Sequence, residues 1–308
     1  MLELDEKKIR KGRPLGLPYQ GSKKKISKKI VEIIKQNFGT DNPIYDIFGG
    51  GGAITAECLL NGLEVHYNDL DETATSMFQR VLATDRDYLK TLLVSRDEFF
   101  RIREKENKTI DDELKLLVNS FGNNKETYLY SEEFSDLKHN LAAEIVKKHD
   151  VFSGYRKTET YLKAKDIFKD QTYQKQQQDR KVQLQQLQQL ERLQQLQRLQ
   201  RLQQLQQVET TNLDYTEFSG VENAILYLDP PYENATLRGY SIDSFSSQSF
   251  YDWAYEMSKK NIVLISSYEI SDERFKCVYE FKKAKSTLAP NGAGNKTEKL
   301  FMVKKGEK

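Results

Sequence analysis

The chain has little of what metal or redox chemistry is built from. Its 308 residues include two cysteines and three histidines. Cys58 and Cys277 lie far apart without metal-ligand spacing, and His66, His139 and His149 form no H-x-x-x-H pair. A disulfide framework or a zinc site is therefore not expected, metal catalysis has little to build on, and a reducing cytosol suits the thiols. No run approaches the roughly 20 consecutive apolar residues that a membrane span requires, and no apolar stretch follows the charged N-terminus as in a signal peptide. No membrane partner is expected.

What is present is a chain 38% hydrophobic and 31% charged, enough for one large domain or a domain with a lobe. The net charge of +2 is unevenly spread. Residues 1–40 carry eleven Lys or Arg against four acids, and residues 276–308 carry nine Lys against three Glu. Basic ends on a near-neutral protein suit a local polyanion surface, and equally a solvated helix face with a charged tail. The lysines from Lys23 to Lys29 are candidates for phosphate contacts.

Residues 1–18 are charged and then punctuated by Gly12, Pro14, Gly16 and Pro18, which predicts a flexible arm. From Ser22 to about Phe38, Ile26, Ile30, Ile33 and Ile34 recur at helical spacing with lysines opposite, predicting an amphipathic helix. Pro43–Ile47 is a strand, Phe48 with Gly49–Gly52 a glycine turn, and Ala53–Leu60 a helix. Leu63–Tyr67 is a second strand, closed by Asn68, Asp69 and Asp71. Strand, glycine turn, helix, strand and acidic end make a nucleotide-binding βαβ pattern. Residues 72 to about 170 read as helical. Strands return at Val208–Leu213, Ala224–Leu228, Asn261–Ser266, Lys276–Phe281 and Leu300–Val303. An open α/β sheet interrupted by a helical insertion accounts for this order.

A leucine repeat closes the insertion. Leu184, Leu187, Leu190, Leu193, Leu196, Leu199, Leu202 and Leu205 recur every third residue among Gln, Arg and one Glu. These are good helix formers. Three residues fall about 60° short of a full helical turn, so the stripe winds around the helix within about six repeats. No single straight partner buries such a stripe. The segment is therefore expected to be an expansion without special role; projection from the body, self-association or a non-α conformation are the other readings.

The chemistry concentrates in Asp229-Pro230-Pro231-Tyr232, directly after an apolar strand. Two prolines at a strand exit hold the chain extended and leave carbonyls free to accept. An adenine amino group is a poor nucleophile because its lone pair is delocalised into the ring. A carboxylate and a carbonyl, each accepting one N–H, favour the pyramidal nitrogen that attacks a sulfonium methyl. Tyr232 would supply an aromatic face for such a base, worth about 1–3 kcal/mol, against the few kcal/mol of extruding it. The other reading of the tetrapeptide is a Pro-Pro turn with an Asp cap. Asp46 to Gly52 let backbone approach a ligand closely, and a dinucleotide site would look similar. Asp69 is placed to accept from ribose hydroxyls, though an Asp at a strand end also serves turns.

This ordered set resembles the Dam-like adenine-specific DNA methyltransferases. Tyr19-Gln20-Gly21-Ser22-Lys23 matches their Y/W-x-G-x-K element, Phe48, Gly50 and Gly52 their F-x-G-x-G turn, and Asp69 their acidic strand end. Asn212-Leu213-Asp214-Tyr215, then Asp229–Tyr232, Val263–Tyr268 and Ser286–Val303 with Asn291-Gly292, resemble the later elements. The resemblance implies a Rossmann-like S-adenosylmethionine-dependent methyltransferase sheet with a helical target-recognition insertion. It implies a catalytic domain of 19–71 and 207–308 and a target-recognition insertion of 72–206, whose end carries the Leu-Gln repeat at 183–207, a departure from the shared pattern. Tyr19 and Lys23 would border the cofactor and the base pocket. Phe48, Gly50, Gly52 and the neighbouring backbone, with Asp46 among them, would hold the methionine part of S-adenosylmethionine, Asp69 its ribose, and Asp214 would face its adenine. Asp229 and the Pro230 carbonyl would hold the target amino group, with Pro231 and Tyr232 completing the motif. The expected activity is methyl transfer to adenine N6 in double-stranded DNA, without a metal. A cognate restriction endonuclease, and self-association through the leucines, are partners the residues leave open.

Three alternatives compete. The same fold could act on cytosine N4, RNA or a glutamine side chain, but Asp229 argues against these, since related enzymes with those acceptors more often begin the tetrapeptide with serine or asparagine. A non-catalytic DNA-binding or assembly protein would leave an intact motif set without a job. A nicotinamide-dependent oxidoreductase has no use for the tetrapeptide or Lys23. Trp253, Phe250 and Tyr251 are expected to pack a helix, and Asn119, Asn123 and Asn124 form a polar turn or a recognition loop.

Overall fold

The computed structural model describes residues 1–19, 21–171, 187–204, 208–232, 245–285 and 297–304. They form two compact units, one of residues 1–15, 22–75 and 205–308, the other of 16–21 and 76–204. Among the described residues no helix is long and apolar enough to cross a membrane.

The first unit is built on a seven-stranded sheet. Its strands are β1 (Ile44–Asp46), β2 (Val65–Asn68), β3 (Glu209–Thr211), β4 (Ile225–Leu228), β5 (Ile262–Ser267), β6 (Phe275–Lys285) and β7 (Thr297–Val303). Their spatial order is β3-β2-β1-β4-β5-β7-β6. The first five run parallel, and β7 is antiparallel to both β5 and β6. All four residues of β4 are buried, as a central parallel strand covered on both faces requires. Leu226 and Leu228 share one face, where they pack with Val263, Ile265, Phe250 and Ala254. Helix α1 (Ser27–Phe38) lies against α2 (Ala53–Leu60), which in turn packs on β1 and β2. Chain order reverses between β1 and β4, a switch point where α/β sheets bind ligands at the carboxyl ends of their strands.

The N-terminal residues depart from the expected flexible arm. Leu2 N–H donates to the Val278 carbonyl at 2.8 Å, and the Glu3 and Asp5 amides donate to the side-chain oxygens of Asn37 and Gln36 at 2.9 and 2.7 Å. Arg10 forms a bidentate pair with the buried Glu57 carboxylate, both contacts at 2.8 Å. A buried carboxylate needs such a partner, and this need ties the segment down.

In the second unit α3 (Glu72–Ala83) leads to α4 (Arg86–Lys90), α5 (Arg96–Arg103), α6 (Ile110–Asn119), α7 (Glu132–His149), α8 (Glu159–Gln171) and α9 (Gln188–Gln200). Residues 72–75 of α3 group with the first unit. The leucine repeat is the centre of this unit, which overturns the expectation of a dispensable expansion. Leu187, Leu190, Leu193, Leu196, Leu199 and Leu202 are each at most 1% exposed. Six leucines stepping back about 60° each trace nearly a full circuit of the helix. One flat partner cannot cover them, but a shell can, and α4, α6 and α7 all pack against α9. Those leucines are therefore unavailable for self-association. Leu184 and Leu205 lie outside the described residues.

Polar groups fix the register of α9. Leu187 N–H and Gln189 N–H donate to the hydroxyls of Tyr155 and Tyr130, satisfying amides at a helix start that has no side-chain cap. The Gln189 side chain, fully buried, donates to the Val94 carbonyl and to Asn119. Arg192 donates to the Leu117 and Val118 carbonyls at 2.9 and 2.8 Å, closing the C-terminal end of α6.

Candidate active site

The parallel strands β1, β2 and β4 end side by side, so Asp46, Asp69 and Asp229 all fall at one edge of the sheet. Asp46 is paired with Tyr227 in register, and the Ile47 amide donates to the Tyr227 carbonyl at 3.3 Å. The chain therefore leaves β1 into the glycine turn beside the exit of β4 into Asp229-Pro230-Pro231-Tyr232.

The turn itself is shaped by close approach. A Cβ on Gly49 would sit 2.3 Å from the Tyr67 ring, so only glycine fits there. Gly50 has φ of 48° and Gly52 φ of 69°, the left-handed region that glycine enters without cost. The Gly50 amide donates to Asp69 Oδ2 at 2.6 Å, and the Tyr67 hydroxyl donates to the Gly50 carbonyl. Phe48 is anchored against Tyr215 and Phe250. Gly52 then opens α2, whose third residue, Thr55, donates both its amide and its hydroxyl to Asp46 Oδ2, at 3.1 and 2.7 Å. Asp46 thus holds the start of α2 from the strand it follows.

The three carboxylates share one electrostatic environment. Burial raises Asp46 to about 7, with Thr55 opposing and Asp229 and Asp69 adding. Burial likewise raises Asp69 to about 6 against the amides of Asp71 and Gly50, with Asp71 and Asp229 adding. Asp229 is raised to about 6 by burial, opposed by Lys23 and reinforced by Glu298. Each anion makes its neighbours costlier to ionise. A cation placed among them would relieve all three, and the sulfonium of S-adenosylmethionine carries such a charge.

Around Asp229 the side chains form one network. Lys23 Nζ lies 2.6 Å from Asp229 Oδ2 and 2.6 Å from the Tyr232 hydroxyl. The Tyr232 hydroxyl lies 3.2 Å from Asp229 Oδ1 and 2.6 Å from Glu298 Oε1. Ser266 donates to the same Glu298 oxygen at 2.8 Å. The Tyr232 ring meets Tyr268 edge-on at 4.6 Å. The Tyr232 phenol is pushed well up by burial and by the anions Asp229 and Glu298, so it stays a hydroxyl and a proton donor.

The structure brings Lys23, Asp46, Phe48, Gly50, Gly52, Asp69 and Asp229–Tyr232 to this edge. Asp214 Oδ1 accepts from the Thr216 amide and hydroxyl, capping the 3-10 turn Tyr215–Gly220. Tyr19 belongs to residues 16–21, which group with the helical unit. The closing loop around Asn291-Gly292 lies outside the described residues. Among the lysines expected on phosphates, Lys23 turns to Asp229, Lys28 to the Gly12 carbonyl and Lys29 to Glu6. Phe250 and Tyr251 are buried and Trp253 donates to Ser219, as expected of helix packing. Glu298 was not foreseen. It shares a face of β7 with the buried Leu300, and an acid at an inward position of a closing strand is the signal that marks it.

A doubly wound sheet with an antiparallel strand inserted at its far end, a glycine turn after β1, and Asp-Pro-Pro-Tyr after β4 define a Rossmann-like methyltransferase. Residues 19–286 match the family model described as D12 class N6 adenine-specific DNA methyltransferase. The chain belongs to that family. Its fold is the S-adenosylmethionine-dependent methyltransferase fold, its activity is methylation of adenine N6 in DNA, and members of the family use S-adenosylmethionine. Comparison with curated proteins returns no match.

Proposed function

We propose that this chain binds S-adenosylmethionine over the glycine turn 48–52 and methylates an extruded adenine held at Asp229. The observation that carries the reading is the Asp229 carboxylate, at the exit of β4, lying in the field of the two carboxylates that flank the glycine turn. S-adenosylmethionine supplies an electrophilic methyl on a positively charged sulfur. Asp46 and Asp69 offer the negative field for that charge, and the turn's backbone offers the close approach. Asp229 Oδ1 accepts one N–H of the adenine amino group and the Pro230 carbonyl the other, turning the nitrogen lone pair towards the methyl. Tyr232 gives the base an aromatic face, and Lys23 keeps Asp229 ionised. Transfer would break the sulfur–methyl bond and leave S-adenosylhomocysteine as a neutral thioether; the methylated amine then gives one proton to Asp229, which passes it to solvent, and recovers its conjugation.

The helical unit carries target recognition in this reading. A cleft of about 620 Å³ lies along α7 and the segment 121–134, lined by Arg96, Phe121, Tyr128, Tyr130 and Lys138. Phe121 is 63% exposed, whereas Lys138 is 7% exposed, its ammonium 4.9 Å over the Tyr130 ring. A largely buried ammonium facing a cleft suits a phosphate, and an exposed aromatic suits a base. Asn119 is not part of such a surface: it is fully buried and donates to the Leu92 and Lys115 carbonyls.

The test is calorimetric binding of S-adenosylmethionine to wild type and Asp69→Ala. Tight binding by wild type and at least about tenfold weaker binding by the variant are expected, the loss of one charged hydrogen-bonding partner. Equal affinity would remove Asp69 from the cofactor site.

A further inference from the structure

Tyr232 has one phenolic proton and two anionic acceptors within reach. Glu298 Oε1 is at 2.6 Å and Asp229 Oδ1 at 3.2 Å, so the shorter bond goes to Glu298. Lys23 donates to the same hydroxyl and to the other Asp229 oxygen, Oδ2. Donors thus run from Lys23 to Tyr232 to Glu298, and Ser266 adds a second donor to Glu298. Among the described residues, the longer, shared contact is the one hydrogen bond to Asp229 Oδ1.

We propose that Glu298 is a positioning residue for methyl transfer: by drawing the Tyr232 proton to itself, it leaves Asp229 Oδ1 open to accept the adenine amino group. The inference rests on the reading of Asp229 given above. Glu298 does not touch the base; it acts through Tyr232. A second consequence is electrostatic, because Glu298 stands 3.9 Å from Lys23 and competes with Asp229 for its charge. Among the described residues, the charged and titratable groups facing Asp229 are Lys23 from the segment before α1, Tyr227 and Tyr232 from β4 and its exit, Glu298 from β7, Asp46 at the end of β1 and Asp69 just after β2. Glu298 is the second carboxylate within this hydrogen-bonded network, and it reinforces the high proton affinity of Asp229. Removing it favours ionised Asp229 while inviting the Tyr232 proton onto Oδ1, since an anionic carboxylate outcompetes a neutral amide for a donor.

The experiment compares wild type, Glu298→Gln, Tyr232→Phe and the double variant in methyl transfer to unmethylated DNA, with pH profiles and cofactor affinities. Glutamine keeps the shape and an acceptor oxygen, so cofactor affinity should stay within a few-fold. The plateau rate of Glu298→Gln should fall at least about tenfold, as expected of a misplaced transition-state contact. The acid limb of its profile should move to lower pH. In the Tyr232→Phe background, where no phenolic proton exists, the same glutamine substitution should change the plateau less than about twofold. An unmoved acid limb, or an equal loss in both backgrounds, would overturn the proposal and leave Glu298 a strand-packing residue. Asp229→Ala runs in parallel: activity surviving there refutes the reading of Asp229 itself, whereas a dead Asp229→Ala with a wild-type Glu298→Gln refutes the role of Glu298 alone.

Discussion

Replacing Leu193 by alanine deletes most of a side chain with no solvent exposure at the middle of α9. Leucine and alanine are both good helix formers, so the backbone term is small. The transfer and cavity terms together come to about 2–5 kcal/mol. At roughly 2–4 °C per kcal/mol for a protein of this order of size, the variant should melt about 4–20 °C below wild type. The neighbouring Gln194 is only partly buried, and Gln194→Ala should change stability by less than about 0.5 kcal/mol. Thermal unfolding of the two variants by circular dichroism, with tyrosine fluorescence as a second probe, separates a central helix from a projecting one. Equal melting temperatures for Leu193→Ala, Gln194→Ala and wild type would refute the claim that the repeat is core.

The high proton affinities at the sheet edge set the pH response of cofactor binding. On the proposed reading, ionised Asp46 and Asp69 attract the sulfonium, so S-adenosylmethionine affinity should fall as pH drops through about 7 to 6, while uncharged-sulfur S-adenosylhomocysteine should show a weaker dependence by calorimetry; parallel curves would contradict this. The sign reverses for folding without cofactor: these carboxylates bind protons more readily folded than unfolded, so they add stability as pH falls from about 7 towards their unfolded values near 4. The melting temperature of the cofactor-free protein should be higher at pH 6 than at pH 8, and a fall would speak against the shared field. Lys138→Met should lower the salt dependence of DNA binding by about one counterion, a slope change near 0.9, and an unchanged slope would remove Lys138 from the DNA contact.

How far these features were legible in the sequence follows from which interactions are local. Ile30, Ile33 and Ile34 face inward on α1 because helical period alone decides it, and the strand at Ala224–Leu228 announces itself by an unbroken apolar run. The glycine turn and Asp229–Tyr232 were readable because their chemistry is contiguous. The leucine repeat conceals its role because a three-residue period excludes a single flat partner yet says nothing about a surrounding shell. That shell comes from α4, α6 and α7, distant in sequence. The N-terminal segment looked unstructured because its anchors, Asn37, Gln36 and Glu57, lie tens of residues away. Glu298 required β7 to be placed beside β5, a long-range antiparallel pairing that no local pattern encodes. Gly49 is similar: its need to be glycine comes from the Tyr67 ring across the sheet edge.

Methyl transfer by Asp229→Ala bears most directly on the account. Purified wild type and variant are each given S-adenosylmethionine with a labelled methyl and unmethylated double-stranded DNA, and the digested nucleosides are separated. Wild type should place the label in N6-methyladenine, while the variant should bind the cofactor within a few-fold of wild type and leave the DNA unlabelled. Label appearing in N6-methyladenine at the wild-type rate with alanine at position 229 would contradict the assignment of the reacting amino group to that carboxylate.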